Sequence, residues 1–247
     1  LSMSRAADPQ AAAPRRRLLT MLDTRPELVK LAPVIELLDA EPGLCQRILH
    51  TGQHYSYEMD AIFFAELGLR APDVTLHVGS GSHGSQTAAI LTGVEAELLA
   101  TPADAVLVLG DTNSTLGAAL AAAKLAVPVV HIEAGCRSHV RSMPEEINRV
   151  LVDHCASLLL APSAEAAANL QREGIAAADV AVVGSTSIDA ARRFVTPARD
   201  RPIVAAVAAA LGGRDPAELT LCTVHRAENT EPAVLPDLLR GLERVAE

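Results

Sequence analysis

Apolar residues along this chain come in short runs that alternate with stretches of helical periodicity from Arg17 onward. The runs Leu18–Leu22, Cys45–His50, Ala105–Leu109, Val127–Ile132, Ser157–Leu160 and Val180–Val183 read as strands. Between them, Pro26–Leu38, Tyr57–Leu67, Gln86–Leu99, Thr115–Lys124 and Glu145–His154 read as helices, and Ser163 caps another that runs to Arg172. His154 falls on an apolar helix face and reads as a core histidine. Repeated strand-then-helix steps with short loops predict a parallel, doubly wound α/β sheet. The segment Arg192–Ala217 is rich in Pro, Arg, Asp and Ala and reads as a crossover or linker. A further strand, Leu219–Val224, a loop, Arg226–Pro232, and a helix running to Glu247 follow. One strand and its helices cannot bury a core of their own.

Composition narrows the class. The 247 residues are 49% hydrophobic but only 2% aromatic, without Trp, so the core is built from Ala, Val, Leu and Ile. That bias suits buried parallel strands. A net charge of -9 and no general basic surface argue against a nucleic-acid partner. No apolar run reaches the roughly 20 residues of a membrane span. Cys45, Cys136, Cys155 and Cys222 show neither CxxC nor metal-ligand spacing and read as reduced thiols of a cytoplasmic protein, with no metal site. Residues 1–17, Ala-rich and ending in Arg15-Arg16-Arg17, read as a disordered leader.

The candidate chemistry sits where strands end. Asp111 and Glu133 follow apolar runs directly, and Glu145 opens a helix after Pro144. In an open α/β sheet the carboxyl ends of the strands form the ligand crevice. Carboxylates gathered there suit acid/base work, because desolvation and mutual repulsion push their pKa values apart. Helix capping accounts for Asp111 equally simply, and dipole stabilisation accounts for one of Glu145 and Glu146; Glu133, before Ala134-Gly135, has no such simple account. Arg25, at the start of the first helix, and Lys30, one turn on, can meet an anion at that helix N-terminus. A solvated polar turn explains the same pair. The loop Gly79–Gly84 lacks the Lys of a phosphate-binding loop and reads as a surface linker. His225 and Arg226 end the last apolar run, a pairing that suits phosphate, although a lone His is more often structural.

Taken together, Thr24-Arg-Pro-Glu27 with Lys30-Leu-Ala-Pro33, Thr51-Gly-Gln-His-Tyr55, Gly79–Gly84 with Gln86-Thr87, Gly110-Asp-Thr-Asn113, His131-Ile-Glu-Ala-Gly135, Met143–Arg149 and His225-Arg-Ala-Glu-Asn229 resemble the non-hydrolysing UDP-N-acetylglucosamine 2-epimerases. The resemblance implies two Rossmann-like domains of the GT-B type: an N-terminal one over 18–191, then a linker and the start of a truncated second one over 192–247. It implies interconversion of UDP-GlcNAc and UDP-ManNAc by elimination of UDP through 2-acetamidoglucal and re-addition, without metal or other cofactor. Asp111, Glu133, Glu145 and His225 would then be catalytic. Arg25, Lys30, His225 and Arg226 would hold the UDP-sugar, and a homodimer is the family expectation. A UDP-diacetamido-glucuronic acid 2-epimerase, or a truncated non-catalytic paralogue that binds sugar nucleotide, shares the same motifs. In the family a Gly stands where this chain has Asp23, which sets bulk and negative charge beside the expected diphosphate. The clamp on the uridine diphosphate belongs to the remainder of the family's second domain.

Overall fold

The computed structural model describes residues 15–52, 57–199, 201–212, 220, 222–224 and 227–246. The chain divides into two compact units, Leu1–Phe194 and Val195–Glu247.

The first unit is a seven-stranded parallel sheet: β1 (Arg16–Leu22), β2 (Leu44–His50), β3 (Val74–Thr75), β4 (Ala105–Leu109), β5 (Val129–Ile132), β6 (Leu158–Ala161) and β7 (Val180–Val182), in the order β3-β2-β1-β4-β5-β6-β7. Its helices are α1 (Arg25–Ala40), α2 (Tyr57–Leu67), α3 (His83–Ala100), α4 (Asn113–Lys124), α5 (Pro144–Cys155), α6 (Ala164–Arg172) and α7 (Thr186–Arg199), the last running across the unit boundary. Strand order reverses between β1 and β4, which are paired neighbours, so the ligand crevice expected of such a sheet lies at their carboxyl ends.

Both sheet faces are buried, and the two-residue side-chain period sorts the central strands between two cores. Val106 and Val108 of β4 join Leu19, Met21 and Val129 with α3 and α4, while Leu107 and Leu109 join Leu22, Ile48 and Ile132 with α1. α4 approaches the sheet closely because it is nearly all Ala there: Ala118, Ala119, Ala121 and Ala122 are buried. A Cβ at Gly117 would stand 2.9 Å from Ile90 Cγ2, so a glycine is what lets α3 and α4 touch.

Several expectations are corrected. Arg16 and Arg17, assigned to a leader, open β1 instead; residues 1–14 lie outside the described residues. β5 starts at Val129, because Pro128 has no N–H for the ladder and the Val127 N–H closes the end of α4 on Ala122 O at 2.9 Å. β3 went unread, being two residues long. The supposed linker is largely helical, from α7 into α8 (Pro202–Ala210), which opens with Pro at its first position and continues through Ala and Val. Thr220 and Cys222–Val224, within the expected last strand, carry no strand pairing; Leu219 and Leu221 lie outside the described residues. In the second unit α9 (Ala227–Thr230) and α10 (Leu235–Ala246) follow, and there is no strand among its described residues. Among the described residues no helix is long and apolar enough to cross a membrane.

Candidate active site

Three strand ends bring the chemistry together. β1 runs into Asp23 and the first turn of α1, β4 into Gly110-Asp111-Thr112, and β5 directly into Glu133. The reversals after β4 and β5 are tight: Gly110, Glu133 and Gly135 have φ of 75°, 66° and 78°. Left-handed backbone is routine for glycine and costs a side-chain-bearing residue about 1–2 kcal/mol. A glutamate held there is a strained position that the surrounding structure must hold in place.

Glu133 is met by a cation and a hydroxyl. Lys30 Nζ donates to Oε2 at 2.8 Å, and Ser187 Oγ of α7 donates to Oε1 at 3.3 Å. Lys30 is thus aimed at this carboxylate from one turn into α1. Arg25 instead lies against Phe63, its guanidinium carbon 5.8 Å from the ring centroid. Asp111 does not cap α4; Thr112 does, accepting from the Thr115 N–H at 3.2 Å. Asp111 pairs with Arg149 of α5, and its carbonyl accepts from Asn148 Nδ2 at 2.9 Å.

Glu145 and Glu146 divide as two different groups. Glu145 is exposed at the first turn of α5 and has no hydrogen-bond or ion-pair partner among the described residues. Glu146 is buried and saturated. Burial pushes its carboxyl up, but the Ser138 N–H and hydroxyl, the His139 N–H and Arg149 together hold it below the usual range. His225 and Arg226 lie outside the described residues.

Asp23, the departure from the family's glycine, is buried and accepts from Thr51 Oγ1 at 2.8 Å. Its φ is not positive, so the backbone there makes no demand for glycine. Beside it Glu27, read from sequence only as a first-turn charge, is buried with Oε1 unpartnered. Burial first, then the Asp23 charge and more weakly that of Asp111, pushes the Glu27 carboxyl well above its usual range, against hydrogen bonds from Thr112 and the Thr24 backbone.

The loop Gly79–Gly84 is anchored rather than a loose linker. Ser82 caps α3, Gln86 Nε2 donates to Gly79 O at 3.1 Å, and His83 Nδ1 lies 3.1 Å from Asn113 Nδ2. His83, Asn113, Ser142 and Asn148 line an open hollow of about 550 Å³ where α3, α4 and α5 begin.

Sequence reading also missed the side chains of α5 that support these carboxylates. This helix is inverted: Glu146, Asn148 and Asp153 are buried, while Ile147 and Leu151 are 44% and 45% exposed. His154, expected in the core, is exposed and bonds only Val150 O one turn back. Its neighbour Asp153 takes the interior position, because a carboxylate there is matched by His131 and Arg137. Among the described residues no cluster of His, Cys, Asp and Glu is arranged to hold a metal ion.

A parallel α/β domain with carboxylates and cations at its strand-order reversal has the layout of a nucleotide-ligand enzyme. The family model for UDP-N-acetylglucosamine 2-epimerase matches residues 36–247, and the chain belongs to that family. It is 44% identical over 232 residues to the UDP-N-acetylglucosamine 2-epimerase of Methanocaldococcus jannaschii, covering 94% of this chain and 63% of that one. It is 40% identical to the UDP-2,3-diacetamido-2,3-dideoxy-D-glucuronate 2-epimerase of Pseudomonas aeruginosa, covering 93% and 63%. A crystal structure of the M. jannaschii UDP-GlcNAc 2-epimerase, in complex with UDP-GlcNAc and UDP, superposes with a TM-score of 0.82 at 43% identity. That match covers 93% of this chain and 62% of the other. The chain therefore spans a little over three fifths of the length of these relatives.

Proposed function

We propose that the protein interconverts UDP-GlcNAc and UDP-ManNAc, with Asp111 and Glu133 as the acid/base carboxylates of this domain. The observation that carries the reading is their position: successive carboxylates at the ends of the paired strands β4 and β5, each facing a cation from another element. The chemistry needs such a set. The C2 proton is a weak acid with no adjacent carbonyl, so the C1–O bond to UDP breaks with its electron pair leaving on the diphosphate. A carboxylate takes the C2 proton, and a C1–C2 double bond forms, giving 2-acetamidoglucal. Re-addition of UDP at C1 with a proton on the other face of C2 completes the inversion. Each positioned acid or base contributes about 10²–10⁴ in rate.

Glu145, exposed beside this edge, is the third carboxylate of the proposal, with freedom to swing onto a ligand. Arg25 and Lys30 are assigned to the diphosphate, Lys30 exchanging its contact with Glu133 for the ligand or bridging both. His225 and Arg226 are assigned to the same group on the family motif alone. The exposed free thiols Cys45 and Cys136 suit a cytoplasmic setting. The homodimer expected of the family is open to sedimentation.

The test is NMR of UDP-GlcNAc in deuterated water. Deuterium entering C2 with UDP-ManNAc formed supports the reading, and Asp111→Asn or Glu133→Gln should then lower exchange by at least ~10²-fold. Exchange only with UDP-2,3-diacetamido-2,3-dideoxyglucuronic acid would move the assignment to that substrate. Exchange with neither, by folded protein, would overturn it.

A further inference from the structure

We propose that His131 and Asp153 form a buried charged brace that sets the spacing of Asp111 and Glu133, making both of them positioning residues. The inference rests on the assignment of those two carboxylates above.

His131, on β5, is fully buried, as is the side chain of Asp153. Its Nε2 lies 2.9 Å from Gly110 O, and its Nδ1 lies 2.7 Å from Asp153 Oδ1. The other carboxylate oxygen of Asp153 accepts from the Gly135 N–H at 3.1 Å and pairs with Arg137 at 2.7 Å. Gly110 O belongs to the peptide unit that enters Asp111. The Gly135 N–H belongs to the unit one peptide beyond the one that leaves Glu133. One His–Asp pair therefore grips the backbone beside both carboxylates, at the two reversals where φ is positive and the chain is least able to hold itself. Asn148 fixes the peptide that leaves Asp111, so that residue is held on both sides.

The hydrogen bonds place one of the two ring protons directly. A carbonyl oxygen can only accept, so Nε2 donates to Gly110 O. The charged brace assigns the proton of the Nδ1–Oδ1 contact to the ring and leaves Asp153, whose other oxygen accepts from a backbone N–H and a guanidinium, as the carboxylate. Arg137 continues to Glu173, which leaves a group of two cations and two anions closed on itself. A paired buried group of this kind is costly to break from one side. It is also stiff, which suits it to hold reacting groups to within a fraction of an ångström.

The experiment combines a spectroscopic and a kinetic reading. In the ¹³C,¹⁵N-labelled chain, the His131 ring, assigned by through-bond correlation to its own backbone, should show two protonated nitrogens at pH 7.5. The exposed His154 serves as the comparison. A ring with one bare nitrogen would overturn the charged brace, and this reading does not depend on catalysis or on any variant folding. In the C2 exchange assay, Asp153→Asn and His131→Gln should lower kcat about a hundredfold with KM for the UDP-sugar within about threefold. Unchanged kcat in a folded variant would overturn the positioning role. If the parent protein catalyses no exchange, the epimerase assignment fails while the ring spectrum still decides the brace.

Discussion

Lys30 and Glu133, 103 residues apart in sequence, meet at 2.8 Å: the first helix delivers its one lysine to the carboxylate that ends β5. The pair is partly exposed, 30% and 17% at the side chains, so its worth to stability is small, about 1 kcal/mol or less. Under the proposed function its effect falls on catalysis. Lys30→Met should therefore leave the melting temperature nearly unchanged and cut C2 exchange by roughly 10²-fold, since it removes a preorganised cation. Thermal unfolding beside the deuterium assay separates the two effects.

Glu133 itself sits at φ 66°. Replacing it by Ala keeps the strained backbone, whereas replacing it by Gly releases it. Both variants lose the Lys30 pair equally, so their difference isolates the backbone. Glu133→Gly should be about 1 kcal/mol more stable than Glu133→Ala, with exchange abolished in both. Equal urea midpoints for the two would mean that the reversal is not strained.

Arg149 couples two carboxylates through one guanidinium, bonding Glu146 at 2.9 Å and pairing with Asp111. A lysine keeps the charge but not the fork. Arg149→Lys should fold, because Glu146 retains its bonds from Ser138 and His139. It should lose exchange about 10–10²-fold, read as kcat in the same assay.

The division between what could and could not be read from the sequence has a physical basis. The placement of Asp111 and Glu133 at the ends of β4 and β5 was legible because each follows an apolar run within a residue or so. The parallel sheet was legible because its central strands carry compact apolar runs and short loops join them to helical stretches. The inward face of α5 was not, since Glu146, Asn148 and Asp153 point inward while Ile147 and Leu151 face out. Amphipathic reasoning assigns such a helix the wrong face, and it put His154 in the core in place of Asp153. Glu27 was passed over for a related reason: a glutamate in a first turn is ordinary, and only the fold shows it enclosed beside Asp23. β3 was lost to its length alone.

Gly135 shows how closely the second reversal is packed. A Cβ there would stand 2.2 Å from Ala166 O and 2.7 Å from its carbonyl carbon, on backbone at φ 78°. The obstacle is the first turn of α6, which cannot yield as a flexible side chain does. Gly135→Ala should cost about 3 kcal/mol or more, seen as a lowered urea midpoint. It should also release the Asp153 contact and impair exchange in whatever fraction remains folded.

Glu27 carries a pH signature with a definite sign. Its carboxyl, ordinarily near 4.5, is raised well above that in the folded chain, by burial first and by the Asp23 charge second. The folded state therefore keeps a proton that the unfolded state gives up. Its contribution to stability is whole below about pH 4.5 and is lost progressively as pH rises through the folded value. Each unit of separation costs about 1.4 kcal/mol once both states are ionised. Glu27→Gln has the same shape and no such titration, so it should melt higher than the parent at neutral pH. The gap should close as pH falls toward 4.5. The amide oxygen can accept the bonds from Thr112 and the Thr24 backbone that the carboxyl accepts. Melting temperatures of the two proteins between pH 4 and 8 measure the gap directly. A parallel pair of curves would show that Glu27 is ionised in the fold, and that a cation within reach has offset its burial.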